Sequence, residues 1–109
     1  MAKNAMKNRP IKFRIIELLA DGEERWSNEM IDILAAEYGM NSTYGRNCLN
    51  FDLVEVSTSG FIEGIDEAID TDGSKLGKNR LLMKYRITGL GRSEYEWLLG
   101  SAGKKEAKA

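Results

Sequence analysis

The chain has 109 residues and a net charge of −1, with 42% hydrophobic and 30% charged residues, which is typical of one globular domain. It has no histidine and one cysteine, Cys48, which excludes internal disulfides, ordinary zinc ligand sets and histidine-dependent nucleophilic catalysis. No apolar run approaches the ~20 residues of a membrane span. We therefore expect a cytoplasmic protein that is not an enzyme, with no metal, no cofactor and no membrane partner.

Two helices are predicted first. Pro10 suits the first position of helix one, and Gly22 suits a left-handed end after it. Arg25 and Trp26 could form a short extended segment. Ser27 is predicted to cap helix two and Gly39 to end it. The apolar faces are Ile11, Ile15, Ile16, Leu18 and Leu19 in helix one, and Met30, Ile31, Leu34, Ala35 and Tyr38 in helix two.

A third helix is predicted over residues 43–56, after a tight turn in which Asn41 or Ser42 provides the cap. At 100° per residue, one broad side is apolar and should face inward: Tyr44, Cys48, Leu49, Phe51, Leu53 and Val56. The other side is polar but almost uncharged: Thr43, Arg46, Asn47 and Asn50, with Val54 among them. An ordinary exposed face usually carries Glu and Lys, whereas Arg, Asn and Thr bond to base edges and phosphates.

A long hairpin follows, with strands on either side of the loop DTDGSKLGKN. Phe61, Ile65 and Ile69 should share one face of its first strand, and residues 80–88 form the second. The loop holds Lys75 and Lys78, so it is either a solubilising loop or one that contacts phosphate. Charge is segregated, since residues 1–14 and 74–92 are basic without any acid, whereas 15–40 and 61–73 are acidic.

A terminal helix should begin after Thr88, its predicted cap, and end at Leu99. Its apolar side chains Tyr95, Trp97 and Leu98 either cover the core or form a homodimer interface. Residues 1–9 are expected to be a flexible basic arm, and residues 100–109 a disordered tail.

The segment YRITGLGRSEYEWLL resembles the Tyr-Arg-[Leu/Ile]-Thr-x-x-Gly-Arg passage from last wing strand to C-terminal helix in many winged-helix regulators. The PadR and MarR groups and many small archaeal regulators are similar here. The resemblance covers about Arg9 to Leu99. The sequence departs from that pattern at VEVSTSGFIE, where those regulators tend to have Gly-Leu-Ile directly after the recognition helix.

The resemblance implies an α+β winged helix-turn-helix domain over residues 10–99, with three helices, a two-stranded hairpin wing and a C-terminal helix. It also implies a transcriptional regulator that binds double-stranded DNA as a homodimer. Helix three would lie in the major groove through Thr43, Tyr44, Arg46, Asn47 and Asn50. The wing would contact the backbone through Lys75, Lys78, Asn79 and Arg80. The alternative is a winged-helix module that binds protein in a larger assembly.

Overall fold

The computed structural model describes residues 9–70 and 80–108, and the side chains of 9–69 and 81–100. Over these ranges the chain is α+β, as predicted. It has four helices and a three-stranded antiparallel sheet. In chain order the elements are α1 (Ile11–Leu18), β1 (Arg25–Trp26), α2 (Ser27–Tyr38), α3 (Thr43–Thr58), β2 (Ile62–Asp70), β3 (Arg80–Ile87) and α4 (Gly89–Lys108).

The sheet has the order β1–β3–β2, so the predicted two-stranded hairpin was incomplete. The extended pair Arg25–Trp26 joins the sheet by pairing with Tyr85 and Lys84 of β3. Ser27 is not the cap of α2 but its first residue, and its buried hydroxyl accepts a hydrogen bond from the backbone N–H of Met83 at 3.1 Å. The side chain therefore extends the β1–β3 ladder by one bond.

One apolar core lies between the first three helices and the inner end of the sheet. Leu34, Leu49 and Leu53 are completely excluded from solvent, as are Ile15 and Met30. The remaining buried apolar residues are Ile16, Leu18, Leu19, Ile31, Ala35, Val56, Ile62 and Tyr85. Burial of a side chain of this size contributes about 1.5–3 kcal/mol, so these contacts fix the orientation of α3 relative to α1 and α2.

A short turn joins α2 to α3. Gly39 ends α2 in the left-handed region at φ 68°, and the Ser42 hydroxyl caps α3 by accepting from the N–H of Gly45 at 2.9 Å. Both roles agree with the prediction. Glycine at position 45 also lets the first turn of α3 pack closely against Met40 in the turn, because a Cβ at Gly45 would lie 2.8 Å from the carbonyl oxygen of Met40.

Thr88 holds the junction between β3 and α4. Its hydroxyl accepts from the N–H of Gly91 at 2.9 Å, as predicted for the helix cap. The same hydroxyl donates to the Gly60 carbonyl at 2.6 Å. A Cβ on Gly91 would overlap the Phe61 carbonyl oxygen, so glycine allows α4 to pack directly against the start of β2.

The outer halves of β2 and β3 extend beyond the core. Ile65, Ile69 and Leu81 are therefore exposed, whereas Ile62 at the inner end is buried. Strand β2 begins at Ile62, and a shift of register between Gly64 and Asp66 breaks the alternation on which the predicted common face of Phe61, Ile65 and Ile69 depended.

Helix α4 continues to Lys108, although residues 100–109 were predicted to be a disordered tail. Among the helices described, none combines the length and apolarity needed to cross a bilayer. Residues 1–8, which make up most of the predicted basic arm, and residues 71–79 of the hairpin lie outside the described ranges.

Candidate functional site

The outward face of α3 carries apolar and amide side chains without any charge, and it differs from the predicted one. Tyr44 and Phe51 were expected to face inward, but 80% and 65% of their surfaces are exposed, and 44% of Val54 is exposed as well. With Asn47 and Asn50 they border a shallow depression of about 260 Å³. These five residues are hereafter called the α3 face.

The rotation of α3 has a packing cause. Its inward side is filled by Leu49, Leu53 and Val56, and Gly45 lies against Met40. These positions are separated by three or four residues and form one stripe. Tyr44 and Phe51 lie outside that stripe, so the core has no room for them.

Cys48 lies on the α3 face side of the helix and not in the core. The thiol is partly exposed and borders the same depression as Tyr44 and Phe51. The prediction that it faces inward was therefore wrong.

Arg46 flanks the α3 face and is held by an ion pair. Its Nη2 donates to Oδ1 of Asp32 on α2 at 2.5 Å, and its Nη1 lies 3.4 Å from Oδ1 of Asn41. Only 19% of the Arg46 side chain is exposed. Of the five residues predicted to enter the major groove, Thr43, Tyr44, Asn47 and Asn50 are grouped on or beside the α3 face, whereas Arg46 is turned toward α2.

All but one of the basic side chains in the described ranges are paired with carboxylates within the fold. Arg14 donates a bidentate pair of hydrogen bonds to the Glu37 carboxylate, and these bonds raise the pKa of the guanidinium. Lys12 lies 3.0 Å from Glu55, and the hydrogen bond to that carboxylate raises the pKa of the amine. The remaining pairs are Arg14–Glu17, Arg9–Glu17, Arg25–Asp21, Lys84–Glu24 and Arg86–Glu63. Among described basic side chains, Arg92 alone has no acidic partner, and it donates to the Ala20 carbonyl.

The predicted wing contacts are placed only in part. Arg80 is the first residue of β3, opposite Asp70 at the end of β2. Lys75, Lys78 and Asn79 lie outside the described residues. The paired strands that carry them are nine and eight residues long and lead away from the core.

The three residues predicted for a dimer interface have different surroundings. The Tyr95 ring packs on Phe13 of α1 with ring centroids 5.8 Å apart. Leu98 borders a cavity of about 230 Å³ between α1, α3 and α4, together with Phe13 and Val56. By contrast, 65% of Trp97 is exposed. Tyr95 therefore packs against α1 and Leu98 lines a cavity beside it, whereas Trp97 alone of the three offers a large exposed surface.

Comparison with known proteins gives no relative. No family model, curated protein or solved structure matches this chain. What the chain does must therefore be inferred from its fold and from the residues that it exposes.

Proposed function

We propose that the protein is a DNA-binding transcriptional regulator of the winged helix-turn-helix kind. In this proposal α2 and α3 are the helix-turn-helix pair, α3 lies in the major groove, and the β2–β3 hairpin is a wing beside it. The two-residue strand β1, which pairs with β3, is then part of the same architecture.

One observation carries the proposal. The short turn at residues 39–42 places α3 so that its buried side is fixed by α1 and α2, while Tyr44, Phe51 and Val54 on its other side are exposed. That exposed side presents two amides and an apolar surface, and none of the five residues of the α3 face is charged. A helix about 10–12 Å in diameter fits a major groove about 12 Å wide.

Contacts to the phosphate backbone are assigned to other residues. Because every described cation except Arg92 is paired with a carboxylate, the body of the fold offers few charges to a polyanion. We assign the phosphate contacts to the wing through Lys75, Lys78, Asn79 and Arg80, as the sequence predicts. Such contacts fix the position of α3 on DNA but read no sequence.

A salt titration of binding to a random-sequence duplex tests the proposal. The logarithm of the association constant should fall linearly with the logarithm of salt concentration, by about 0.9 for each phosphate neutralised. Replacing Lys75, Lys78 and Arg80 with Ala should weaken binding to all sequences about equally and make this slope shallower by up to about 2.7. Failure of the parent protein to bind any duplex at low salt would exclude the function.

The homodimer remains part of the proposal. Two copies would double the few base contacts that one α3 can make, and Trp97 is the exposed aromatic residue that such a contact would cover. Sedimentation should give twice the 12.2 kDa of one chain, and Trp97→Ala should return the protein to a monomer. A parent protein that sediments as a monomer at every concentration would exclude this contact.

A second candidate function has an observation of its own. Tyr44 and Phe51 are large aromatic residues with most of their surface exposed, and aromatic residues are enriched at protein–protein interfaces. A winged-helix module that binds a protein partner through α3 would explain them without any DNA. The two functions are separated by the salt titration, because a protein-binding module has no phosphate contacts to lose.

A further inference from the structure

We infer that the α3 face reads A·T base pairs, through adenine edges and thymine methyl groups, and not G·C pairs. The inference rests on the proposed function, since it names the DNA sequence class that the same helix would select. It concerns the five residues of the α3 face and the neighbouring Arg46.

The amides supply the polar half of this recognition. Asn47 and Asn50 are partly exposed and border the depression on α3. An Asn amide can accept from the N6 amino group of adenine and donate to N7 at the same time. No other single base presents a donor and an acceptor side by side on its major-groove edge.

The apolar side chains supply the other half. Phe51 and Val54 lie one turn apart on α3, and Tyr44 lies two turns before Phe51 on the same side. Thymine alone carries a methyl group in the major groove, and an apolar side chain gains by covering it. This role gives a reason for 65% of Phe51 to be exposed in the free protein.

Because Arg46 is paired with Asp32, it is not available for the usual contact between an arginine and guanine. A guanine contact needs a guanidinium that donates two bonds to O6 and N7. Arg46 already donates to Asp32, and only 19% of its side chain is exposed. Within the described part of α3 no other basic residue occurs, so adenine and thymine are the bases that this face suits.

The experiment begins with selection of bound duplexes from a random pool, and the selected site should contain a run of A·T pairs. Two base analogues are then placed in that site. Uracil in place of thymine removes only the methyl group and should weaken binding about fourfold for each methyl covered, equivalent to ~0.8 kcal/mol. Replacing adenine with 7-deazaadenine removes one acceptor and should weaken binding at least about fivefold.

Protein variants assign these effects to residues. Phe51→Ala should distinguish thymine from uracil duplexes less than the parent does, and Asn50→Ala should be less sensitive to 7-deazaadenine than the parent. Leu90→Ala is the matched control, because Leu90 is also an exposed apolar residue but lies at the start of α4. It should retain both sensitivities. Thermal melting of each variant shows that the fold is intact.

Each outcome has a distinct meaning. A selected site rich in G·C, or binding that is insensitive to both analogues, overturns the A·T inference and leaves the DNA-binding function standing. No binding to any duplex overturns both. A parent dimer that Phe51→Ala converts to a monomer, again without DNA binding, would assign the α3 face to a protein contact.

Discussion

Asp32 on α2 holds Arg46 on α3 through an ion pair with an N–O distance of 2.5 Å. The pair links the two helices of the proposed DNA-binding motif across their turn. It also fixes the guanidinium at the border of the α3 face, with Asn41 as a second neighbour. Arg46 is therefore a positioning residue in this structure, although its sequence position alone suggests a base contact.

The pair should contribute modestly to stability. About half of Asp32 is exposed, and ion pairs at such sites contribute about 0.2–1 kcal/mol. We expect Arg46→Ala and Asp32→Ala each to lower the free energy of unfolding by up to about 1 kcal/mol. In a double-mutant cycle measured by urea denaturation, the two losses should not add. Additive losses, or an Arg46→Ala variant that keeps its stability and loses preference for its DNA site, would return Arg46 to a base-reading role.

Gly91 should be sensitive to the smallest substitution. Because a Cβ there overlaps the Phe61 carbonyl oxygen, Gly91→Ala must push α4 away from β2. We expect a loss of about 1–3 kcal/mol, the usual cost of inserting a group into a packed site. Gly89→Ala is the matched control, since a Cβ at Gly89 meets nothing within 4 Å. Denaturant unfolding of both variants measures the difference, and equal stabilities would contradict the close packing at Gly91.

Local features of the chain were predicted well because their causes are local. The caps at Ser42 and Thr88 and the end of α2 at Gly39 depend on residues within one helical turn. The class of fold followed from the same signals. The pairing of β1 with β3 could not be predicted, because it joins residues about 60 positions apart and is only two residues long.

The candidate site was predicted only in part, for a reason of packing. A helical-wheel projection shows that α3 has more apolar residues than its buried side can hold. It cannot show which of those residues pack into the core. Leu49 and Leu53 occupy the core here, and Phe51 is left outside. Likewise the sequence predicts that Arg46 is available to bind DNA. It could not show the ion pair with Asp32, because Asp32 lies on a different helix.

The partly exposed position of Cys48 beside the α3 face makes it a reporter of that face. Its thiol borders the depression beside Tyr44 and Phe51, so a thiol reagent should label the native protein without prior unfolding. Duplex DNA that covers the α3 face should slow this labelling at least severalfold. The rates are measured by absorbance with and without duplex. A native thiol that resists labelling would place Cys48 in the core, and labelling unaffected by bound DNA would move the DNA contact away from α3.

Asp52 should make stability depend on pH in a definite direction. Partial burial on α3 raises the pKa of its carboxyl above the ordinary value of 3.8, an effect that nearby Lys12 opposes and Glu55 strengthens. The folded protein therefore binds this proton more tightly than the unfolded chain does. The resulting stabilisation is fully present below pH 3.8 and is lost as the pH rises through the raised pKa.

Asp52→Asn, which cannot ionise, should thus melt at a higher temperature than the parent at pH 7, and the difference between the two melting temperatures should disappear as the pH approaches 3. Glu96→Gln on the exposed side of α4 is the control, and its melting difference from the parent should not follow this pattern. A parent protein that loses stability relative to Asp52→Asn as the pH falls would mean that the Asp52 carboxylate is stabilised by Lys12 more than it is penalised by burial.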